Sequence, residues 1–217
     1  MAKKLTGTVV IDPGHGGTHE VGGSSANNAT SFSGVPEKVM TLQFANLVRI
    51  ALEDAIKKGG HTIKVVMTRT TDTNLGLAAR AQVAKKNKAN VFLAIHFNGF
   101  NKKSRGTETL VRPKAAGNVN YAADKAFATR IQDALFNVIK SHDANAKNRG
   151  VKDQVLGVLK DKDLGPTPRA CLVEIEFIDV KEVDVLLNIG PNAAQVRSDI
   201  GKALATAILD DLKAHSA

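Results

Sequence analysis

NVFLAIHF, residues 90–97, carries six apolar residues in eight and no regular alternation of apolar with polar. A strand with one solvated face alternates, whereas a strand covered on both faces reads as a near-continuous apolar run. The stretch therefore predicts a strand buried inside a largely parallel sheet, with His96 near its carboxyl end. Towards the N-terminus, LGLAARAQVAKKNK (75–88) reads as a helix and TIKVVMTR (62–69) as a strand. EKVMTLQFANLVRIALEDAIKK (37–58) has helical apolar spacing, with Gly59-Gly60 as its stop signal, and GTVVID (7–12) is a further strand. Towards the C-terminus, GTETLVR (106–112), QVLGVLK (154–160) and RACLVEIEF (169–177) read as strands. Residues 121–142 and 192–215 read as long helices. Strands and helices alternate, which predicts an α/β three-layer sandwich. Its central sheet is mainly parallel (mixed), of about six strands, with helices on both faces. No repeat, low-complexity tract or linker interrupts the pattern, so residues 1–217 are expected to form a single domain.

The bulk numbers fit this plan. The chain has 217 residues, 43% hydrophobic and 24% charged, ordinary for a globular protein large enough to bury a core without staples. Aromatics make up only 4%, with no Trp, so the core should be Val, Ile, Leu and Ala. Cys171 sits in an apolar run and reads as a buried core thiol, not a nucleophile. The net charge of +9 favours an anionic partner such as nucleic acid, anionic lipid or acidic wall polymer. The basic residues are dispersed and aromatics scarce, which weighs against nucleic acid. No segment approaches the ~20 apolar residues of a transmembrane helix. The start, MAKKLTGTVVIDPG, lacks the apolar region of a secretion signal.

In such sheets, sites form at the carboxyl ends of strands. VVIDPGHGG (9–17) places His15 among glycines directly after the first strand. His96 and Glu174 lie late in two other strands, and Glu37 opens the first long helix after Pro36. Two imidazoles and a carboxylate are a recognised ligand set for catalytic zinc. Water ionises more readily at such a metal and can attack an amide carbonyl. The reaction also needs a carboxylate outside the metal shell, and Glu174 could serve. The alternative stands beside it: Glu37 only favours the helix dipole, and the histidines are polar groups near a sheet edge.

VVIDPGHGG, the Glu37-Lys38 pair, TRTTDTNLGLAAR, FLAIHFN, NRGVK and CLVEIEF together resemble, in this order, the zinc-dependent N-acetylmuramoyl-L-alanine amidases of the amidase 3 type. These cut the bond between the lactyl group of N-acetylmuramic acid and the first L-alanine of the peptidoglycan stem. The resemblance runs from about residue 6 to about residue 213. It implies one Zn2+ per chain, held by His15, Glu37 and His96, with Glu174 as the catalytic glutamate. It implies that Asn98 lines the site and that glycines around His15 let metal and glycopeptide approach. Arg69, Asp72 and Arg80 match the TRxxDxxxxLxxR segment of the family pattern and read as structural ties. His19, in the polar loop of residues 18–36, reads as a surface histidine, and His61, His142 and His215 as unremarkable.

One departure bears on the site. The family pattern has glycine two residues after the glutamate, where this chain has Glu176. Strand alternation would put Glu174 and Glu176 on one face. Glu176 is then a second carboxylate near the metal, touching substrate, or the partner of a base such as Arg169. The connection from His96 to the helix at 121 has little room for the plug helix of some family members, so activity without an activator is expected.

The expected function is therefore zinc-dependent hydrolysis of peptidoglycan by a monomer, acting at the bacterial cell wall or periplasm. A mature form, a phage lysin or a protein exported by other means would all fit. One alternative is a wall-binding or regulatory module of the same fold with impaired catalysis. Another is a zinc peptidase or deacetylase with the same site chemistry.

Overall fold

The computed structural model describes residues 3–216. In chain order the elements are β1 (Thr6–Pro13), α1 (Glu37–Lys58), β2 (Thr62–Met67), α2 (Leu77–Lys86), β3 (Val91–Asn98) and β4 (Thr107–Val111). They continue with α3 (Tyr121–His142), β5 (Asn148–Asp153), α4 (Asp161–Leu164), β6 (Arg169–Phe177), α5 (Lys181–Asp184) and α6 (Ala193–Ala214). A π-helical turn, Val185–Ile189, follows α5.

The six strands form one sheet in the order β2-β1-β3-β6-β4-β5. β2, β1, β3 and β6 run parallel, and β4 meets β6 antiparallel. β3 and β6, the two most apolar strands, lie at the centre, and every residue of β3 from Val91 to Ile95 is inaccessible to solvent. Alternation sorts the side chains to two faces. Val9, Ile11, Leu93, Ile95, Cys171 and Val173 join one core with α1, α3 and α6. Val10, Phe92, Ala94 and Leu172 join a second core with α2 and α4. The sheet is thus covered on both sides, which is why its central strands carry no polar face.

The helices form because their apolar residues recur every four. Met40, Phe44, Val48 and Leu52 make a fully buried stripe on α1, and Phe127, Ile131, Leu135 and Ile139 make another on α3. Each such side chain contributes about 1.5–3 kcal/mol on burial, so Ile131→Ala would cost about 2–5 kcal/mol. α1 stops at Gly59, whose N–H returns to Ala55 O, and Lys57 and Lys58 complement the dipole of its last turn. Cys171 is a buried free thiol, and burial pushes its pKa well above the ordinary range.

One expected strand is not a strand. QVLGVLK (154–160) is a loop, and the fifth strand is the preceding NRGVKD segment, paired with β4. The apolar residues of the loop bury for a different reason. Val158 and Leu159 plug the smaller core over α2 and are 4% and 2% exposed. β5 carries a weak apolar signal because it is an edge strand, half solvated throughout.

Candidate metal centre

The first strand ends in a turn that holds His15 in the left-handed region, with φ 60°, an uncommon conformation for a residue with a side chain. The turn is fixed from several sides. Gly14 N–H donates to Ile95 O, and Gly16 N–H to Ala26 O. Arg80 is 1% exposed and donates to Asp12 Oδ1 (2.9 Å), Pro13 O (2.7 Å) and His15 O (2.6 Å). Arg69 donates to Pro13 O, Gly14 O, Lys38 O and Thr41 Oγ1, joining the turn to the start of α1. Asp72 accepts from Gly17 N–H and Lys38 Nζ at 2.8 Å each. These residues are ties within the fold.

The glycines serve the protein's own packing, not only a ligand's approach. A Cβ on Gly14 would fall 2.2 Å from His96 Cε1, and one on Gly16 would fall 2.3 Å from Thr73 O. Gly14 therefore lets the β1 turn lie against the His96 ring.

Glu37 is completely buried at the first position of α1. Its Oε2 accepts from Ala29 N–H (2.9 Å) and its Oε1 from Phe97 N–H (3.0 Å), so the backbone on both sides orients it. His96 Nδ1 stands 3.1 Å from Glu37 Oε1. His15 Nε2 stands 3.2 Å from the same oxygen yet is out of line for a hydrogen bond. The imidazoles meet edge-on with centroids 4.8 Å apart. One donor atom from each of the three residues lies within 4.8 Å of the others. A tetrahedral centre with bonds of about 2.0–2.2 Å sets its donors about 3.3–3.6 Å apart, close to the 3.2 Å and 3.1 Å that separate the His15 and His96 nitrogens from Glu37 Oε1. His15 Nδ1 lies 3.0 Å from the Ser25 carbonyl, which can only accept. A proton on Nδ1 would satisfy that carbonyl and leave Nε2 its lone pair, and the Ser25 hydroxyl stands 3.0 Å from the same nitrogen. The donor set, its spacing and the orphaned Nε2 all fit a zinc ion.

Charge in the cluster is finely opposed. Burial alone would raise the Glu37 carboxyl, but the close approach and charge of His15 and His96 outweigh it and bring it to about 2. Burial would lower His15, but Glu37 and the Ser25 carbonyl raise it above the ordinary value.

Glu174 is the cross-strand neighbour of His96 on one side and of Glu108 on the other. Its Oε2 is hidden from solvent and has no hydrogen-bond partner. Burial, with the negative charges of Glu37 and Glu108, pushes its pKa well above the carboxylate range. Asn98 Nδ2 donates to Glu108 Oε1 at 2.9 Å, and Glu108 also pairs with Arg149 and Lys152. Burial would raise Glu108, but these three partners hold it below its ordinary value. Sequence reasoning missed Glu108 and Ser25. The alternation of GTETLVR could have flagged Glu108, while nothing local marks Ser25.

Glu176 does not join the cluster as a second carboxylate. The β3–β6 register slips between His96 and Asn98, with Asn98 opposite Phe177, so β6 carries an extra residue there. This bulge breaks the alternation that would have put Glu176 beside Glu174. Its fully buried carboxylate accepts from Gly106 N–H (2.5 Å) and Phe177 N–H (2.9 Å), and Arg105 lies 3.5 Å away. The pairing base is Arg105, not Arg169, which instead binds Asp211 at 2.5 Å. His19 is exposed, His61 accepts from Leu5 N–H, His142 faces Asp199, and His215 caps its own helix through Asp211.

The model of one known family, described as N-acetylmuramoyl-L-alanine amidase, matches residues 9–210. An uncharacterized cell wall amidase of Bacillus anthracis is 32% identical over 181 residues, 80% of this chain and 30% of its own length. The N-acetylmuramoyl-L-alanine amidase AmiA of Escherichia coli is 28% identical over 260 residues, 99% of this chain and 82% of its own. Among solved structures, the catalytic domain of CwlV, an amidase of Paenibacillus polymyxa, superposes with a TM-score of 0.74 at 27% identity. That match covers 95% of this chain and 98% of that one. The relatives share the fold that brings His15, Glu37, His96 and Glu174 to the carboxyl edge of one sheet, and the chain belongs to the N-acetylmuramoyl-L-alanine amidase family.

Proposed function

We propose that the protein is a zinc-dependent hydrolase of peptidoglycan. It cuts the amide between the lactyl group of N-acetylmuramic acid and the L-alanine of the stem peptide. One observation carries the reading: two imidazole nitrogens and a carboxylate converge on one point beside an unpartnered, buried Glu174 oxygen.

His15, Glu37 and His96 would hold one ion per chain. When bound, zinc supplies Lewis acidity, polarising the amide carbonyl and making water a stronger acid. Glu174 takes a proton from the attacking water and returns it to the alanine nitrogen. Its raised pKa suits a group that must accept and then donate near neutral pH. Asn98, held through Nδ2 by Glu108, presents its Oδ1 as an acceptor for a substrate N–H. Tight burial of Glu37 and the Ser25 contact of His15 Nδ1 keep the donors in place without reorganisation.

The partner is the glycan strand with its stem peptides, so the protein acts at the bacterial cell wall, as a monomer and as one catalytic domain. The connection between β3 and α3 is occupied by β4 and a short 3-10 turn at Lys114–Ala116. No plug helix is drawn from it, and purified protein should cleave without an activating partner. The motive for an impaired wall-binding module was Glu176. That side chain is taken up by Gly106, Phe177 and Arg105, which leaves the hydrolase reading ahead.

The test is metal removal and return. Chelated protein should release no soluble fragments from purified wall, and one equivalent of zinc should restore release. Glu37→Ala should bind zinc at least about 10-fold more weakly. Full activity in chelated protein would refute the reading.

A further inference from the structure

Two aromatic rings stand out in solvent at the carboxyl edge of the sheet. Phe100 is 78% exposed and Phe32 is 51% exposed. Every other Phe, and the single Tyr, is buried or half-buried. The loops that carry the two rings are fixed. Asp179 Oδ2 accepts from Phe100 N–H (3.1 Å) and Lys102 N–H (2.7 Å). Asn101 Oδ1 accepts from the N–H groups of Lys103 and Ser104. Phe32 N–H donates to Ile178 O (2.9 Å), and Ser31 N–H donates to Val35 O to close its turn. Ile178 and Asp179 are consecutive, so one segment after β6 anchors the backbone of both rings.

The same loops reach the metal centre. Asn98 and Phe100 are separated only by Gly99, where a Cβ would fall 2.8 Å from Ala29 Cβ. Ala29 N–H in turn holds Glu37 Oε2. The rings and the metal ligands therefore share one rim.

We propose that Phe32 and Phe100 form a platform on which the glycan strand lies, beyond the sugar whose amide is cut. The inference rests on the peptidoglycan reading above. A β-linked pyranose with equatorial substituents turns axial C–H groups to its faces and hydroxyls and amides to its edge. The electron-rich face of a phenyl ring attracts such C–H groups. The polar edge of the sugar needs polar neighbours, and Ser33, Asn101, Lys102 and Lys103 are all exposed beside the rings. The two lysines also bring positive charge, which suits the carboxylates of stem peptides. A protein or lipid partner would instead select a contiguous apolar patch. Because the loops are already held, a strand binds without the cost of ordering them.

The experiment uses zinc-loaded Glu174→Gln protein, so that strands stay intact, and soluble glycan strands that carry stem peptides. Affinity should rise from a strand of one disaccharide to a strand of about four, and sugar C–H protons of the longer strand should move upfield, the mark of stacking over a ring. Adding Phe100→Ala or Phe32→Ala should weaken the longer strand at least about 5-fold, the loss expected when an interfacial aromatic is truncated. Phe100→Trp should restore the affinity. In otherwise wild-type protein, Phe100→Ala should raise KM for wall by the same factor and leave the thermal midpoint in place, because the ring is exposed. Equal affinity of the longer strand with and without the two rings, or upfield shifts that persist without them, overturns the platform alone when the wild-type protein cleaves wall. Binding to phosphatidylglycerol vesicles that Phe100→Ala abolishes, with strand affinity unchanged, also overturns it and assigns the ring to a membrane surface. Failure to bind any strand together with failure to cleave wall removes the peptidoglycan reading as well.

Discussion

Gly14 shows how little room the site leaves. Its missing side chain is the space occupied by the edge of the His96 ring, 2.2 Å from where a Cβ would stand. Gly14→Ala must push His96 away from Glu37. Zinc affinity measured by competition titration should fall about 10–100-fold while the far-ultraviolet spectrum is unchanged. Glu174 makes a second case. Glu174→Gln should reduce kcat about 10²–10⁴-fold while zinc stoichiometry is retained. A base works only when ionised, so kcat/KM should fall as pH drops through the raised pKa of Glu174. Burial is the main cause of that rise, and the charge of Glu108 adds to it. Glu108→Gln removes a negative neighbour, so the acid limb should move to lower pH. That His15, Glu37 and His96 come together could be read from the sequence, because their types and their places, at or after strand ends for the histidines and at a helix start for Glu37, were both visible. Glu176 could not, because a bulge formed between two strands decides where it points, and alternation along one strand cannot reveal it.

Elements are joined by buried charge as much as by apolar stripes. Arg80 on α2 and Asp12 on β1 are 2% and 1% exposed at their side chains, and Arg80 also closes the His15 turn. Replacing Arg80 with leucine leaves Asp12 buried and unpaired. Such a loss costs about 3–5 kcal/mol, to be read as a lower urea midpoint with little change in slope. The long helices and central strands were legible at this scale because each repeats its apolar residues with one period. The loop at 154–160 was not. Its apolar residues follow no strand partner and plug the core over α2 from a loop, while the true strand beside it is a solvated edge. The same loop supplies Leu156 and Val158 to a cavity beside the metal centre, so misreading it as a strand hid a wall of the site.

At the scale of the molecule, a net charge of +9 carried by dispersed basic residues would act as a diffuse attraction for an anionic wall. Sedimentation with purified wall should therefore weaken as sodium chloride rises from about 50 to 500 mM, because the screening length of exposed charges falls from ~14 Å to ~4 Å. Binding independent of salt would assign the affinity to specific contacts alone. The fold class was legible because covered parallel strands have a distinctive composition, and the antiparallel β4 was not, since direction leaves no mark in a single strand. The central claim concerns which bond breaks. The direct test is mass spectrometry of the products from purified peptidoglycan, with zinc-loaded protein beside a chelated control. Free stem peptides beginning with L-alanine, together with peptide-free glycan, should be found only in the zinc sample. Intact muropeptides, or cuts within the peptide or the glycan, from protein carrying one zinc per chain would contradict it.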